Sequence, residues 1–497
     1  MKPIVYLIGA GPGDPELLTL RGARCLRGAD VVLYDGLSNA EILALAPAAE
    51  HICVGKHGQT RIWRQDEIIQ EMLRHAALGK SVARLKGGDP AVFARTSEEV
   101  DALNQAGIPF EIVPGITAAL AAGSYAGIPI TDRKLASAVA LVTGHEQPGK
   151  SESALDWDAL ARFPGTLVIY MGVTTAKVWT DALISAGKDP ATPTALVRRC
   201  SLPDQTTLHC RLDEVAQRLT PASNFRPPVI AIVGAVTTLA DSMRWVQHRP
   251  LHGQTILVTR PADQADVLAD AIRDLGGYPL IAPAIAVKPI DDFTALDRSI
   301  ENLDDTDQLI FCSANGVEHY FRRLHELRYD SRRLAGISVA AIGKKTQLKL
   351  LEQGIRTDIL PEDYRATSLV DQLQSSAAGQ SITIIRASRG SDELPSKLKD
   401  AGAEVHEVVA YQNVDVDSAD PSIIEAMDDG KIDWVTVTSS ATAINLSRLY
   451  GDRLKHVRLA AISPVTAAAL EERGLTVHAV ANPFTIEALL HEIVQQS

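Results

Sequence analysis

The sequence predicts an α/β protein with mostly parallel sheets, divided into two parts, and three observations support this prediction. Apolar strand-like runs such as IVYLI, TLVIYM and SITII alternate with helical patterns along the chain, as in parallel sheets covered by helices. A polar, proline-containing segment without periodicity, residues 241–253, separates the two parts. The second part also contains an internal repeat.

Composition limits the class of protein. The chain has 497 residues, more than one ordinary domain, and it shows neither a long apolar run nor a signal-peptide pattern, so we expect a cytoplasmic protein without a membrane segment. The net charge of −12 argues against a nucleic-acid partner but leaves room for an acidic small molecule in a locally basic cleft. The 5 cysteines are scattered without C-x-x-C spacing, which predicts neither a disulfide framework nor a metal site.

The first glycine-rich turn lies in LIGAGPGDPELL and has the layout of a dinucleotide-binding loop, with an apolar strand before it and a helical pattern after it. However, Asp14 occupies the place of the third glycine, where it is predicted to cap the helix, with Pro15 in the first helical position. A carboxylate there repels a pyrophosphate, and Pro12 lacks an N–H group that could bind one. The turn is therefore predicted to accept a ligand without phosphate, which disfavours a nicotinamide oxidoreductase.

Two further glycine-rich turns follow candidate strands, at residues 86–90 (KGGDP) and 114–119 (PGITAA). Turns after parallel strands lie at the carboxyl edge of the sheet, where ligands bind. The helix after the third turn, TAALAAGSYAG, is rich in small residues, which favours close approach of a ligand over tight packing alone.

The repeat in the second part is regular. Residues 253–260 match residues 379–386, and residues 307–315 match residues 433–441, both at an offset of 126. We therefore predict two similar α/β units with a cleft between them. In both halves a serine ends a strand and a threonine begins a helix, so their hydroxyl groups are candidates for that cleft, with helix capping as the alternative; these residues are Ser313, Ser439, Thr346 and Thr466.

The ordered motifs of the first part resemble those of the S-adenosylmethionine-dependent uroporphyrinogen-III C-methyltransferases, in the tetrapyrrole methylase family. The motifs are GAGPGDPELLTLRGA, ADVVLYDGL, VGK, RLKGGDP, VPGITAALAAGSYAGIP and LVTGHE, followed by YMG and PPVIAIVG. This resemblance implies a two-lobed α/β domain over residues 1–245, with lobes of about 1–114 and 115–245. It also implies that the protein forms a homodimer through this domain. A linker at 246–252 would follow.

The resemblance also implies the methyl donor. S-adenosylmethionine carries a sulfonium and no phosphate, which is consistent with the first turn. The residues that would surround it are Pro12, Gly87, Gly88, Asp89, Val92, Thr117, Ala118 and Met171.

Methylation of an electron-rich pyrrole carbon requires alignment and removal of a ring proton. The resemblance makes Asp35 the proton acceptor and Lys56 a donor, with Arg95 and Glu98 near the substrate. From the residues alone, the favoured interpretation is that Asp35 caps a turn and that Arg95 and Glu98 form a surface ion pair. The carboxylates of the tetrapyrrole would need basic partners, for which the candidates are Arg61, Arg64, Arg95, Arg133 and Lys134.

The chain departs from the family pattern in three places. It has ARTSEE at 94–99 where the family has GRGGEE, Thr131-Asp132-Arg133 where the family has T-H-R, and Cys200-Ser201 where the family has G-T. These departures motivate an alternative, in which the first part is a non-catalytic or differently specific donor-binding module.

Residues 253–497 resemble uroporphyrinogen-III synthase through VTRP, IFCSANGV, VAAIGKKT, VVAYQ, VTVTSSATAI and AAISPVTAAALEERGL. The resemblance implies a discontinuous first lobe, 253–288 plus 412–497, and a second lobe at 289–411. Tyr411 would act as a weak acid at the leaving hydroxyl of hydroxymethylbilane; the alternative is that Tyr411 only packs in the core. The four hydroxyl residues of the repeat would bind substrate carboxylates.

The two resemblances together predict a bifunctional enzyme without a metal. It would close hydroxymethylbilane to uroporphyrinogen III with inversion of the last pyrrole, and methylate that product to precorrin-2, on the way to sirohaem or cobalamin.

Overall fold

The computed structural model of the chain describes residues 3–36, 38–55, 63–146, 153–220, 223, 225–361, 366–390 and 392–497. The chain divides into two compact units, Met1–Gly253 and Gln254–Ser497. Over the described ranges the strands form four sheets of five strands, two in each unit, and the predicted α/β class is confirmed.

The first sheet of the first unit has the strand order β3-β2-β4-β1-β5, and all neighbouring strands are parallel. Its strands are β1 Val5–Gly9, β2 Val31–Tyr34, β3 Glu50–Cys53, β4 Val82–Lys86 and β5 Phe110–Val113. Its helices are α1 Leu20–Arg27, α2 Gln65–Ala77 and α3 Thr96–Gln105. Thr19 caps α1 by accepting a hydrogen bond from the Gly22 N–H.

The second sheet of the first unit is mixed, with the order β6-β7-β10-β8-β9. Its strands are β6 Val139–Thr143, β7 Thr166–Tyr170, β8 Pro193–Arg198, β9 Thr206–Arg211 and β10 Val229–Val233, and its helices are α4 Ala118–Tyr125, α5 Trp157–Ala161, α6 Ala176–Ser185, α7 Val215–Arg218 and α8 Ala240–Met243. Here β6 and β7 are parallel, whereas the other neighbours are antiparallel. The expectation of mostly parallel strands fails in this sheet, because β8 and β9 form a hairpin and β10 runs antiparallel to both of its neighbours, β7 and β8.

The strands of the second unit are β11 Thr255–Val258, β12 Tyr278–Ile281, β13 Ile285–Pro289, β14 Gln308–Phe311, β15 Ser338–Ala341, β16 Ser381–Ala387, β17 Glu404–Asp415, β18 Trp434–Val437, β19 Arg458–Ala461 and β20 Val477–Val480. Its helices are α9 Ala262–Asp274, α10 Thr294–Glu301, α11 Ala314–Glu326, α12 Lys344–Glu352, α13 Ala366–Leu373, α14 Glu393–Asp400, α15 Pro421–Asp428, α16 Ser440–Tyr450, α17 Pro464–Glu471 and α18 Ile486–Gln495.

These strands form one sheet in each lobe of the second unit. One has the order β12-β11-β18-β19-β20 and the other β13-β17-β16-β14-β15. The first is built from both ends of the unit and the second from its middle, so the chain crosses between lobes twice. The crossing strands β13 and β17 pair antiparallel, with Pro289 opposite Tyr411.

Each lobe has an apolar core on its sheet. The central strands β4, β7, β10, β14 and β18 are buried at every position, as expected for strands covered on both faces, although β4 carries the charged residues Arg84 and Lys86. Leu251, just before the second unit, is fully buried. No helix in the described part of the chain is long and apolar enough to cross a membrane.

Candidate functional site

The three glycine-rich turns of the first unit meet at the carboxyl edge of the first sheet, as predicted. They follow β1, β4 and β5, which are neighbours in the order β4-β1-β5. Gly11 and Gly88 exchange two backbone hydrogen bonds, of 3.2 and 2.8 Å. The Asp89 carboxylate accepts a hydrogen bond of 2.9 Å from the Gly115 N–H. The turns therefore form one rigid rim, and the Asp89 carboxylate helps to hold it together by its hydrogen bond to the third turn.

Glycine is required where the turns touch. A Cβ atom on Gly115 would lie 2.3 Å from the Gly88 carbonyl oxygen and 2.7 Å from the Gly9 Cα. A Cβ atom on Gly9 would lie 2.6 Å from the Gly115 Cα. Because these neighbours are backbone atoms that no side-chain rotation can move, any side chain here would separate the turns.

The rim does not offer a phosphate site, because side chains occupy the helix N-termini beside it. Asp14 caps the short helix Pro15–Leu17 by accepting a hydrogen bond of 2.9 Å from the Glu16 N–H, and it also accepts one of 3.0 Å from the Tyr125 hydroxyl. The Tyr170 hydroxyl accepts a hydrogen bond of 2.9 Å from the Ala119 N–H, at the start of α4. The residues present therefore fit a ligand without phosphate, such as S-adenosylmethionine, better than a dinucleotide.

The second lobe reaches the rim through Tyr170. Its hydroxyl lies 2.6 Å from the Thr117 hydroxyl, and burial raises its pKa. The next residue, Met171, has φ of 54° and is 49% exposed. Val92 packs against the core of the second lobe. The predicted cofactor residues Thr117, Ala118 and Met171 are thereby brought to the same edge as the turns.

Asp35 lies at the end of β2, beside the rim. Its carboxylate accepts a hydrogen bond of 2.6 Å from Arg84, a buried residue of β4. The turn after β3 packs on it so closely that a Cβ atom on Gly55 would lie 2.8 Å from the Asp35 carbonyl carbon. Lys56 and Arg61, two of the predicted residues, lie outside the described residues.

The predicted substrate residues Arg95 and Glu98 form an exposed ion pair at 2.7 Å at the start of α3. Arg95 has φ of 53° and nearby Phe93 has φ of 52°, a conformation that residues other than glycine rarely adopt. Of the other basic candidates, Arg64 is exposed and pairs with Asp66. Arg133 and Lys134 are exposed in the turn after α4.

The Cys200-Ser201 departure has a structural role that the sequence did not predict. The Ser201 hydroxyl accepts a hydrogen bond of 3.0 Å from the Asp14 N–H, and Gln205 links Ser201 to the end of α4 through bonds of 2.9 and 3.0 Å. This loop therefore ties the second lobe to the first turn. Cys200 itself is buried, which raises its pKa to about 12.

The second unit has a cleft of about 530 Å³ lined by both of its lobes. Three of the four predicted hydroxyl residues line it, namely Ser313, Thr346 and Ser439. Ser313 and Ser439 also cap helices, accepting hydrogen bonds from the N–H groups of Gly316 and Thr442. The two serines therefore cap helices and line the cleft at the same time, so the two interpretations given above are compatible.

Tyr411 lines the same cleft from β17. Its hydroxyl lies 2.9 Å from the Ser313 hydroxyl, and its ring stacks on His319 with centroids 5.5 Å apart. Thr466 differs from the other hydroxyl residues, because it is not among the residues that line the cleft. Its hydroxyl lies 3.1 Å from that of Ser463.

Basic side chains that the sequence analysis did not select also line the cleft: Arg260, Lys345 and Arg389. The internal repeat drew attention to Arg260, because Arg260 corresponds to Arg386 in the second half. In the structure the two have diverged, because Arg386 pairs with Glu407 and Asp392. Nothing in the spacing of the sequence distinguished the lining arginine from the paired one.

The described residues contain no cluster of three or more His, Cys, Asp or Glu side chains suited to a metal ion. The cysteines are free thiols.

Known proteins match both units. The family described as Tetrapyrrole (Corrin/Porphyrin) Methylases matches residues 4–216, and the family described as Uroporphyrinogen-III synthase HemD matches residues 266–491. The porphyrin biosynthesis protein HemD of Ruminiclostridium josui is 32% identical over 494 residues, which are 99% of this chain and 97% of that protein.

Two methyltransferases are also similar. A uroporphyrinogen-III C-methyltransferase of Bacillus subtilis is 38% identical over 348 residues, which are 70% of this chain and 71% of that protein. An S-adenosyl-L-methionine-dependent uroporphyrinogen III methyltransferase of Methanosarcina barkeri is 46% identical over 238 residues, which are 48% of this chain and 93% of that protein.

Proposed function

The chain belongs to the family of fused porphyrin biosynthesis proteins, with a tetrapyrrole methylase unit followed by a uroporphyrinogen-III synthase unit, and we propose how its residues perform the two reactions. It is a uroporphyrinogen-III C-methyltransferase and a uroporphyrinogen-III synthase in one chain. The methyltransferase relatives do not favour the alternative of a first unit that binds the donor without catalysis.

The meeting of the three turns beside Asp35 is the observation that supports the methylase site best. The bound donor supplies an activated methyl group on a sulfonium. The turns, with Thr117 and Met171, would hold the donor, and Arg95 with Glu98 would orient the ring. A carbon–methyl bond forms as the sulfur–methyl bond breaks, and the proton on that ring carbon is released to the Asp35 carboxylate.

Asp35→Asn tests this assignment in the full-length chain, supplied with uroporphyrinogen III and the donor. We expect kcat for methyl transfer to fall by roughly 10²–10⁴-fold, the usual contribution of a positioned acid or base, with little change in donor Kd by calorimetry. Asp101→Asn on the exposed part of α3 is the matched control. A rate near that of the unmodified chain would remove Asp35 from the mechanism. Donor binding without turnover in the unmodified chain would favour the binding-module alternative.

The Tyr411–Ser313 hydrogen bond in the cleft supports the synthase site best. Closing hydroxymethylbilane expels its hydroxyl group as water, so the departing oxygen must receive a proton. The Tyr411 hydroxyl would donate it while Ser313 orients the phenol. Arg260 and Lys345 would pair with substrate carboxylates and fold the linear molecule into the geometry that inverts its last pyrrole, whereas Arg389 lines the cleft while paired with Asp415 at 2.6 Å.

Tyr411→Phe tests this site and leaves the packing of the ring unchanged. We expect the rate of uroporphyrinogen III formation to fall by about 10- to 100-fold, at the low end of general-acid effects because a phenol is a weak acid. Tyr320→Phe is the control, because its buried hydroxyl has no hydrogen-bond partner among the described residues. Equal rates in the two variants would refute the role of Tyr411.

Four further parts of the proposal stay predictions. They are precorrin-2 as the methylated product, a homodimer formed through the methylase unit, a cytoplasmic location and operation without a metal.

A further inference from the structure

Four charged side chains form a network beneath the rim of the first unit. Arg84, Lys86 and Glu99 are 3%, 2% and 0% exposed, whereas the Asp35 side chain keeps 29% of its surface. Arg84 bonds Asp35 at 2.6 Å and Glu99 at 3.3 Å, and the Lys86 ammonium contacts the other Glu99 oxygen. We call these four residues the rim network.

Sheet register explains why these side chains meet. The β2–β4 pairing places Leu33 opposite Arg84 and Tyr34 opposite Leu85, so Asp35, Arg84 and Lys86 lie on one face of the sheet. The first turn of α3 covers that face and supplies Glu99. The adjacent Glu98 is 45% exposed and pairs with Arg95. Helix α3 thus contributes one carboxylate to the buried network and another to the proposed substrate site.

Arg84 holds Asp35 in one orientation. Its Nη2 donates to Asp35 Oδ1, its Nε donates to Glu99 Oε1, and its Nη1 donates to the Leu85 carbonyl at 3.1 Å. Glu99 Oε1 also accepts a bond of 3.2 Å from Gln65. The guanidinium is therefore fixed from several sides, and Asp35 Oδ2 is left without a hydrogen-bond partner among the described residues.

Stability alone does not explain such a network. Burying an ion costs several kcal/mol, and buried ion networks are often replaceable by apolar residues without loss of stability. Burial also lowers the pKa of Lys86, although Glu99 opposes this effect. The network starts at Asp35 and ends at Lys86, directly before the donor-binding turn at residues 87–89. A functional role accounts for a neutral network of two cations and two anions in this place.

We propose that Arg84 and Glu99 are positioning residues for methyl transfer. Glu99 holds Arg84 between two carboxylates, and Arg84 holds Asp35 Oδ1 so that Oδ2 takes the ring proton. This inference rests on the proposed role of Asp35. Arg84 and Glu99 touch neither substrate nor donor in this scheme, and they act through the Asp35 carboxylate.

The test uses the full-length chain with Lys86→Met and Glu99→Gln combined, which removes one charge of each sign. We expect kcat for methyl transfer to fall about 10- to 100-fold, the scale of a misplaced catalytic group, with donor Kd by calorimetry changed less than about 3-fold. In an Asp35→Asn background the same pair should cause no further loss, since its effect passes through Asp35. Glu71→Gln, which breaks another ion network of this lobe, is the control and should leave kcat unchanged.

The outcomes separate this inference from the proposed function. A paired variant with a normal kcat, or one whose loss is undiminished in the Asp35→Asn background, overturns the inference while Asp35 stays the acceptor. A fully active Asp35→Asn overturns the proposed role of Asp35 and the inference with it. If the paired variant does not fold, Arg84→Lys is measured instead, because it keeps every charge and changes only the geometry of the hydrogen bonds to Asp35 and Glu99. A normal kcat for methyl transfer in that variant overturns the inference.

Discussion

Replacing Gly115 by alanine tests whether the three turns form one rim. The new Cβ atom would lie 2.3 Å from the Gly88 carbonyl oxygen, about 1 Å inside ordinary contact, with the Gly9 Cα at 2.7 Å on the other side. Overpacking usually costs about 1–3 kcal/mol, and backbone atoms on both sides place this case at about 3 kcal/mol. For a unit of this size, that lowers the melting temperature of the first unit by roughly 6–12 °C.

The assay combines scanning calorimetry of the full-length chain with titration of S-adenosylmethionine. We expect donor Kd to rise at least about 10-fold, because the turns that would hold the donor separate. Gly28→Ala is the control, since Gly28 has φ of −96° and a Cβ atom there would come no closer than 3.8 Å to a neighbour. Unchanged melting and unchanged donor binding in Gly115→Ala would show that the turns do not pack as described.

Three further changes have defined outcomes. Tyr170→Phe removes the acceptor of the Ala119 N–H and should destabilise the first unit by about 1–2 kcal/mol in urea unfolding, which equal midpoints would contradict. Burial raises the pKa of Cys200 to about 12, so the folded chain keeps the thiol proton that the unfolded chain loses from about pH 9. The contribution of Cys200 to the free energy of unfolding is therefore fully present below pH 9 and is lost as the pH rises towards 12. Cys200→Ala should therefore flatten the fall of unfolding free energy over that window, and parallel curves would refute this. Asn445→Ala removes the amide that bonds the carbonyls of Ala284 at 2.5 Å and Val416 at 3.1 Å beside the crossing strands, and it should destabilise the second unit alone by about 1–3 kcal/mol, measured as separate calorimetric transitions.

Much of the methylase rim could be predicted because its signals are local. Asp14 caps the first short helix as predicted, since capping depends on residues next to each other in the chain. The glycines of the three turns and the small residues of α4 were interpreted as room for a ligand. In the structure Gly9 and Gly115 let the turns touch each other, and Ala119, Ala121 and Ala122 pack in the core of the second lobe. The repeat in the second unit predicted two related lobes, because equal spacing along the chain reflects equal supersecondary units.

The role of Arg84 could not be predicted in this way. The alternation Arg84-Leu85-Lys86 on a buried strand shows that two cations share one face, but the identity of their partners depends on which strand and helix lie beside β4. The repeat likewise could not distinguish Arg260, which lines the cleft, from Arg386, which is paired with carboxylates. Nor did the Cys200-Ser201 departure reveal that Ser201 binds the first turn.

The sequence by itself determined the α/β class, the turns, the caps and the family, because these depend on the order and spacing of residues along the chain. Only the tertiary structure decided which of those features share a site. Strand order β4-β1-β5 brings the three turns together, and the β2–β4 pairing brings Asp35 to Arg84. Strand order follows from the packing of segments far apart in the chain, such as Val5 opposite Phe110 and Ile256 opposite Trp434, and no local pattern encodes that choice.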